Sequence, residues 1–208
     1  MSALKPLVKK IARTLGYRPA YGNYGVERQE YLGGYWKGGD PHTWCPDLWS
    51  AVVKEFKVRS VVDVGCGQGF STQFFKELGV EVTGVEGGKE AIKTSPVAQL
   101  IVHHDYTKGP FLPKHPVDLV WCCEFVEHVD DAYVPNFLAT FAAGRYCLMT
   151  HAFPGQDGFH HVNCQPPEYW IQKLASVGFT HDPAVTDRLR LLAANAKHVH
   201  RSLLFFRK

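Results

Sequence analysis

Between residues 59 and 179 short apolar segments alternate with amphipathic ones, and no other feature of this 208-residue chain restricts its fold as strongly. The apolar segments "RSVVDVG", "VEVTGVE", "AQLIVHHD", "VDLVWCC" and "RYCLMTHAF" are short and mostly rich in β-branched residues, so they read as strands. Between them "FSTQFFKELG", "KEAIKTS", "DDAYVPNFLATFAAG" and "EYWIQKLASVGF" read as helices. Strands that alternate with helices form a parallel sheet covered on both faces, and near-continuous apolar runs fit burial from both sides. Beyond Phe179, "THDPAVTDRLRLLAA" and "RSLLFFRK" are expected to add two strands, the last antiparallel. The expectation is an α/β chain with a doubly wound, mostly parallel seven-stranded sheet.

Composition sets the outer bounds. With 45% apolar and 21% charged residues the chain has the makings of a globular core. It has no apolar run of eighteen residues and no secretory core segment, so a cytoplasmic location is expected. The cysteines at 45, 66, 122, 123, 147 and 164 form no C-x-x-C pair and are expected to be free thiols. A net charge of +3 does not call for a nucleic-acid partner.

Ahead of the alternating region, Leu4, Leu7, Val8, Ile11 and Leu15 recur at helical spacing among lysines, with Gly16 as the expected stop. Such a helix packs on its own domain or, alternatively, touches a membrane surface or a partner. Residues 21–44, dense in Gly, Tyr and Trp, read as a long loop that covers something. Residues 1–45 are therefore expected to act as a cap over the acceptor site, ahead of the main domain at 46–208. "DLWSAVVKEF" is expected to be a helix.

In an open α/β sheet ligands bind beyond the carboxyl ends of the strands. The first such end is "DVGCGQG", where Gly65, Gly67 and Gly69 permit a tight turn and a close approach of bare backbone to a ligand. A glycine turn also suits NAD or FAD, but Asp63 just before it would repel a pyrophosphate and attract an ammonium or a sulfonium. The third glycine also falls one place earlier than in G-x-G-x-x-G. Glu86 ends the second strand and Asp105 follows the third; each alone reads more often as a helix cap or a solvated strand end.

Taken together these residues resemble the class I S-adenosylmethionine-dependent methyltransferases, with their Rossmann-like fold. The resemblance implies that Asp63, Gly65, Gly67 and Gly69 hold the methionine part of the cofactor, that Glu86 accepts from both ribose hydroxyls, and that Asp105 meets the adenine amino group with Tyr106 beside the ring. It covers about residues 45–208.

Methyl transfer is an in-line displacement at an activated carbon, so the protein must mainly position the acceptor and manage its proton. An alcohol is hard to deprotonate with a neutral histidine alone, and a divalent metal lowers its pKa. "EFVEHV", after the fourth strand, places Glu124, Glu127 and His128 at spacings of three and four, which a helical turn would bring to one side. Two oxygens and a nitrogen suit Mg²⁺ or Mn²⁺. His160 and His161, after the fifth strand, are the candidates for a fourth ligand. The E-x-x-E-H pattern with a later histidine resembles two groups of O-methyltransferases, those acting on the 3′ end of small RNAs and those acting on catechol-like quinone precursors. In the RNA enzymes the histidine lies seven residues before a Glu, which here selects His161 ahead of Glu168. That resemblance implies a metal quartet of Glu124, Glu127, His128 and His161. His128, His160 and His161 are the expected catalytic residues, with His160 taking the departing proton. The plainer alternative is that metal-free relatives also carry an E-H pair here, in which case His151 is a spare base.

The acceptor is expected to be a small molecule or glycan with neighbouring hydroxyls. A sugar ranks first, because Tyr and Trp of residues 21–36 can pack on sugar rings; a catechol-type diol and an RNA end follow. A metal-independent N-methyltransferase and a non-catalytic cofactor-binding protein are the competing classes.

Overall fold

The computed structural model describes residues 24–26 and 30–208. The helix expected over residues 4–15 lies outside the described residues. Two short strands, β1 (Tyr24–Val26) and β2 (Gly34–Trp36), pair antiparallel, so part of the stretch read as loop is a small hairpin. Helix α1 (Pro46–Glu55) follows, and then the alternating region begins.

The strands are β3 (Ser60–Val64), β4 (Glu81–Glu86), β5 (Ile101–His103), β6 (Val117–Cys122), β7 (Gly144–Met149), β8 (Thr180–His181) and β9 (Leu204–Arg207). The helices between and after them are α2 (Phe70–Glu77), α3 (Lys89–Lys93), α4 (Val134–Phe141), α5 (Pro167–Ala175), α6 (Pro183–Leu192) and α7 (Lys197–Ser202). The seven-stranded sheet has the order β5-β4-β3-β6-β7-β9-β8. Neighbours among β3 to β7 are parallel, and β9 runs antiparallel to both β7 and β8.

Period-two alternation sends the strand side chains to two cores. Val61, Leu119, Trp121, Leu148 and Phe205 face one side, where Leu48, Trp49 and Val52 of α1 and Phe75 of α2 cover them. Val62, Val64, Val120, Cys147 and Phe206 face the other, under Phe137 and Phe141 of α4 and Trp170 and Leu174 of α5. Burial on both faces explains why these strands read as unbroken apolar runs.

Two expectations need correction. Within residues 180–194 only Thr180–His181 is strand, and Pro183–Leu192 is helix α6. Asp182 caps it by accepting from the Val185 N–H at 3.1 Å, Pro183 suits its first turn, and Thr186, Leu189 and Ala193 bury one face. The third strand is also shorter than read, because Ala98–Leu100 forms a 3₁₀ turn before Ile101. Among the described residues no helix is long and apolar enough to cross a membrane.

The register places the site. Val102, Val85, Val64, Cys122 and Met149 lie side by side across β5, β4, β3, β6 and β7. The residues just beyond them therefore share one edge: Asp105, Glu86, Gly65, Glu124 and Thr150.

Candidate active site at the carboxyl edge of the sheet

The glycine turn is built as the motif requires. Gly65 has φ +70°, and a Cβ there would lie 2.5 Å from the Phe125 ring, so a side chain is excluded twice over. Gly69 opens α2 with φ +76° and donates to the Cys66 carbonyl at 2.8 Å. Asp63 lies beneath the turn at 2% exposure, where its Oδ2 accepts from the Ser71 and Thr72 hydroxyls at 2.6 and 2.7 Å. Burial pushes this carboxyl up to about 6, with the two hydroxyls working against the shift. Asp63 thus ties the end of β3 to the first turn of α2 and also lines the larger of two cavities.

The next two acids hold backbone in place as well as facing a cavity. Glu86 accepts from the Gly67 N–H at 2.8 Å and the Gly88 N–H at 2.7 Å. A carboxylate oxygen has a second lone pair, so these bonds leave capacity for a ligand's hydroxyls. Asp105 accepts from the Thr107 N–H and hydroxyl at 2.8 and 2.7 Å and from the Tyr31 hydroxyl at 3.0 Å. Burial would raise its carboxyl, but these bonds and Lys108 outweigh that and hold it below the usual range. Tyr106 is only 5% exposed; its hydroxyl meets Thr140 at 3.0 Å and its ring packs edge-on to Phe125, so most of it belongs to the core.

Glu86, Asp105, Tyr106 and Tyr31 line a cavity of about 300 Å³. Asp63, Gly67, Trp36, Trp44, Trp121 and His161 line one of about 670 Å³. Gly34, Gly65, Glu124 and His128 border both, so the two spaces meet at the ends of β3 and β6. The described part of the N-terminal segment forms a wall of this junction: Gly38 donates to Gln68 at 2.7 Å, and Gly33 backs onto His128.

Glu124, Glu127 and His128 do not share one helical turn. Glu124 has φ +49°, and only Val126–His128 coil, as a 3₁₀ turn. The left-handed step is held by Thr150, whose hydroxyl oxygen accepts from the Glu124 N–H at 2.8 Å and lies 3.0 Å from Glu124 Oε1. Burial, opposed by Thr150 and helped by Asp40, raises the Glu124 carboxyl. Glu127 is fully buried, and the polar side chain beside its carboxyl is that of Glu124. Burial first, and then the charge of Glu124, push its carboxyl well above the ordinary range.

His161 reaches this pair through the backbone. The Glu127 carbonyl accepts from the N–H groups of Val162 and Asn163 at 2.9 and 3.0 Å, which fastens the loop after β7 beside the 3₁₀ turn. The His161 and His128 rings lie 5.0 Å apart. His161 Nδ1 lies 3.2 Å from the Gln156 carbonyl, an acceptor only, so Nδ1 carries the proton and Nε2 bears a lone pair. A Cβ on Gly158 would sit 2.1 Å from that Nε2, so glycine keeps the space beside it. Burial and the neighbouring His161 hold His128 down to about 3, and its buried Nδ1 has no partner.

Glu127, His128 and His161 each offer a ligand atom, all within 4.8 Å of one another. A buried carboxyl with only another acid beside it and an imidazole nitrogen without a partner fit a cation, since burying such atoms without a complementary charge is costly. Glu124 stands outside this group, so the side chains brought together are a triple rather than the expected quartet. The cause is the left-handed step, which turns Glu124 toward Thr150. His160, also at positive φ, lines the smaller cavity. His151 is buried beside Phe153 and borders neither cavity. Sequence reasoning missed Thr150, Gly158 and Tyr31. Only Gly158, in "PGQDG", carried a local signal.

A sheet of this order, with a glycine turn after its first parallel strand and acids after the next two, defines the class I, Rossmann-like methyltransferases, whose cofactor is S-adenosylmethionine. The chain has this fold. Residues 62–142 match the family described as methyltransferase domain. A ubiquinone biosynthesis O-methyltransferase of Pseudoalteromonas translucida is 35% identical over 120 residues, covering 54% of this chain and 47% of that protein. The chain spans about half the length of the curated relatives it matches. A SAM-dependent methyltransferase from Archaeoglobus fulgidus superposes with a TM-score of 0.51 at 19% identity, covering 78% of this chain and 94% of that one. The [4+2]-cyclase SpnF superposes equally well, at 0.51 and 13% identity over 99% and 94% of the two chains. The likeness to solved structures therefore speaks for the fold, and the reaction has to be read from the site.

Proposed function

We propose that this protein is an S-adenosylmethionine-dependent O-methyltransferase whose acceptor carries two neighbouring oxygens, assisted by a divalent metal at Glu127, His128 and His161. The observation that carries the reading is this triple: His128 borders both cavities, His161 borders the larger one, and buried Glu127 offers a ligand atom within 4.8 Å of theirs. A divalent ion held there would act as a Lewis acid and lower the pKa of the acceptor hydroxyl. With two imidazoles and one carboxylate, the donor set suits a transition ion such as Mn²⁺ better than Mg²⁺.

The remaining roles fall to residues around the triple. Glu86 and Asp105 hold the ribose and adenine ends of the cofactor, and Asp63 with the glycine turn holds its methionine end. Glu124 borders both cavities and has its carboxyl raised by burial, so it is placed to take the acceptor proton. His160, expected in that role, lines the cofactor side alone.

The names of the relatives favour an aromatic diol as acceptor. A sugar remains the second reading, supported by Trp36 and Trp44 in the larger cavity, on which a sugar ring can stack. The test is calorimetric titration of the chelator-stripped protein with Mn²⁺, together with methylation of catechols, monosaccharides and alkylamines from labelled cofactor with and without EDTA. The reading requires one Mn²⁺ per chain and an EDTA-sensitive product on a diol. Methylation of amines alone, unaffected by EDTA, would overturn it.

A further inference from the structure

Residues 31–39 form a strap that touches the segments following four neighbouring strands of the sheet. Beyond β5 the Tyr31 hydroxyl donates to Asp105 Oδ2 at 3.0 Å, and beyond β4 a Cβ on Gly87 would lie 3.0 Å from Leu32. Beyond β6 a Cβ on Gly33 would lie 3.1 Å from the His128 ring, and in the glycine turn after β3 Gln68 accepts from the Gly38 N–H at 2.7 Å. Tyr31 and Leu32 line the smaller cavity, Tyr35, Trp36 and Gly39 line the larger, and Gly34 borders both. The strap is therefore one wall shared by two cavities. Its anchor at Asp105 leaves a countable vacancy. Asp105 Oδ1 accepts from the Thr107 N–H and hydroxyl at 2.8 and 2.7 Å, which fills both of its lone pairs, whereas Oδ2 accepts from Tyr31 and keeps one lone pair. The bond to Asp105 also raises the Tyr31 hydroxyl above its ordinary range, so Tyr31 stays the donor.

We infer that Tyr31 is a positioning residue that sets Asp105 to read the nucleobase of the cofactor and, through the strap, ties occupancy of the cofactor cavity to the wall of the acceptor cavity. One free lone pair matches one N–H donor, which an adenine amino group supplies and a base with a carbonyl in its place does not. Tyr31 thereby sharpens the choice of base without touching the reacting atoms. Coupling is reciprocal, so whatever the base gains from the anchored strap the strap gains from the base. The inference rests on the proposed placement of the adenine end at Asp105.

Full-length protein is titrated calorimetrically with S-adenosylhomocysteine and S-inosylhomocysteine, as wild type, Tyr31→Phe and Asp105→Asn, and hydrogen exchange of residues 34–39 is followed by mass spectrometry with and without saturating S-adenosylhomocysteine. Tyr31 is 38% exposed and Tyr31→Phe removes only its hydroxyl, so the fold should be kept. Wild type should prefer the adenosyl compound by about tenfold or more, the scale of a hydrogen bond to a charged group, and Tyr31→Phe should narrow that preference. In wild type the cofactor product should slow exchange of residues 34–39 by about tenfold, and Tyr31→Phe at equal saturation should lose most of this protection. Tighter binding in Tyr31→Phe would show that the hydroxyl competes with the base for Asp105, and the inference would fall. Strap exchange that ignores the ligand, or follows it equally in Tyr31→Phe, would sink the coupling. A base preference lost in Asp105→Asn but intact in Tyr31→Phe leaves the adenine placement standing and rejects Tyr31 alone. A preference intact in both variants removes the placement as well.

Discussion

Replacing Asp63 with Asn separates two consequences of burying a carboxylate beneath the cofactor turn. In the folded chain this carboxyl titrates at about 6, raised chiefly by burial from an ordinary 3.8. Below 3.8 the group is protonated in both states and has no effect on stability. Between 3.8 and about 6 the unfolded chain has released the proton and the folded chain has not, so stability falls as pH rises, and above 6 the loss is complete. At 1.36 kcal/mol per unit the gap amounts to about 3 kcal/mol. The asparagine variant keeps an oxygen that can accept from the Ser71 and Thr72 hydroxyls and has no charge to bury. Denaturant unfolding of both proteins at intervals from pH 4 to pH 8, without cofactor, should show the variant gaining about 3 kcal/mol over wild type across the lower half of that range and holding it above pH 7. Subtracting the two curves cancels the other titrating groups. The same substitution removes the negative charge offered to the cofactor's ammonium, so affinity for S-adenosylhomocysteine at pH 8 should fall while stability rises, a trade often seen at binding sites. A stability difference that stays flat from pH 4 to pH 8 would refute the buried-charge reasoning.

Gly65→Ala combines a positive φ with a Cβ that would lie 2.5 Å from Phe125, so a loss of about 1–3 kcal/mol in thermal or denaturant unfolding is expected; a neutral result would mean the turn can relax. Glu86→Gln should lower the affinity for S-adenosylhomocysteine about tenfold, because one acceptor for the ribose hydroxyls and the Gly67 and Gly88 N–H groups is exchanged for a donor. Unchanged calorimetry would remove Glu86 from the cofactor site. Glu127→Gln should abolish Mn²⁺ binding and turnover yet leave S-adenosylhomocysteine affinity near that of wild type; retained Mn²⁺ stoichiometry in the variant would dismiss the triple.

The alternation of apolar strands and amphipathic helices, the glycine turn, and the acids after the first three parallel strands were legible in the sequence because each is a local pattern. Period two, period 3.6 and the punctuation of Gly or Asp depend on neighbours a few residues away, and the sheet register then carries these strand ends to one edge. The reading of residues 180–194 as strand failed because "AVTDRLRLL" suits either element; Asp182, Pro183 and packing against the sheet settle it as helix. The site's final geometry belongs to contacts between distant segments. Thr150 holds Glu124 in a left-handed step across 26 residues, and the Glu127 carbonyl seats the loop that delivers His161. Spacing along the chain shows which ligands a helical turn would present, but a single positive φ redirects a side chain by more than any helix allows, and only packing of the β6 and β7 ends made that φ the stable choice.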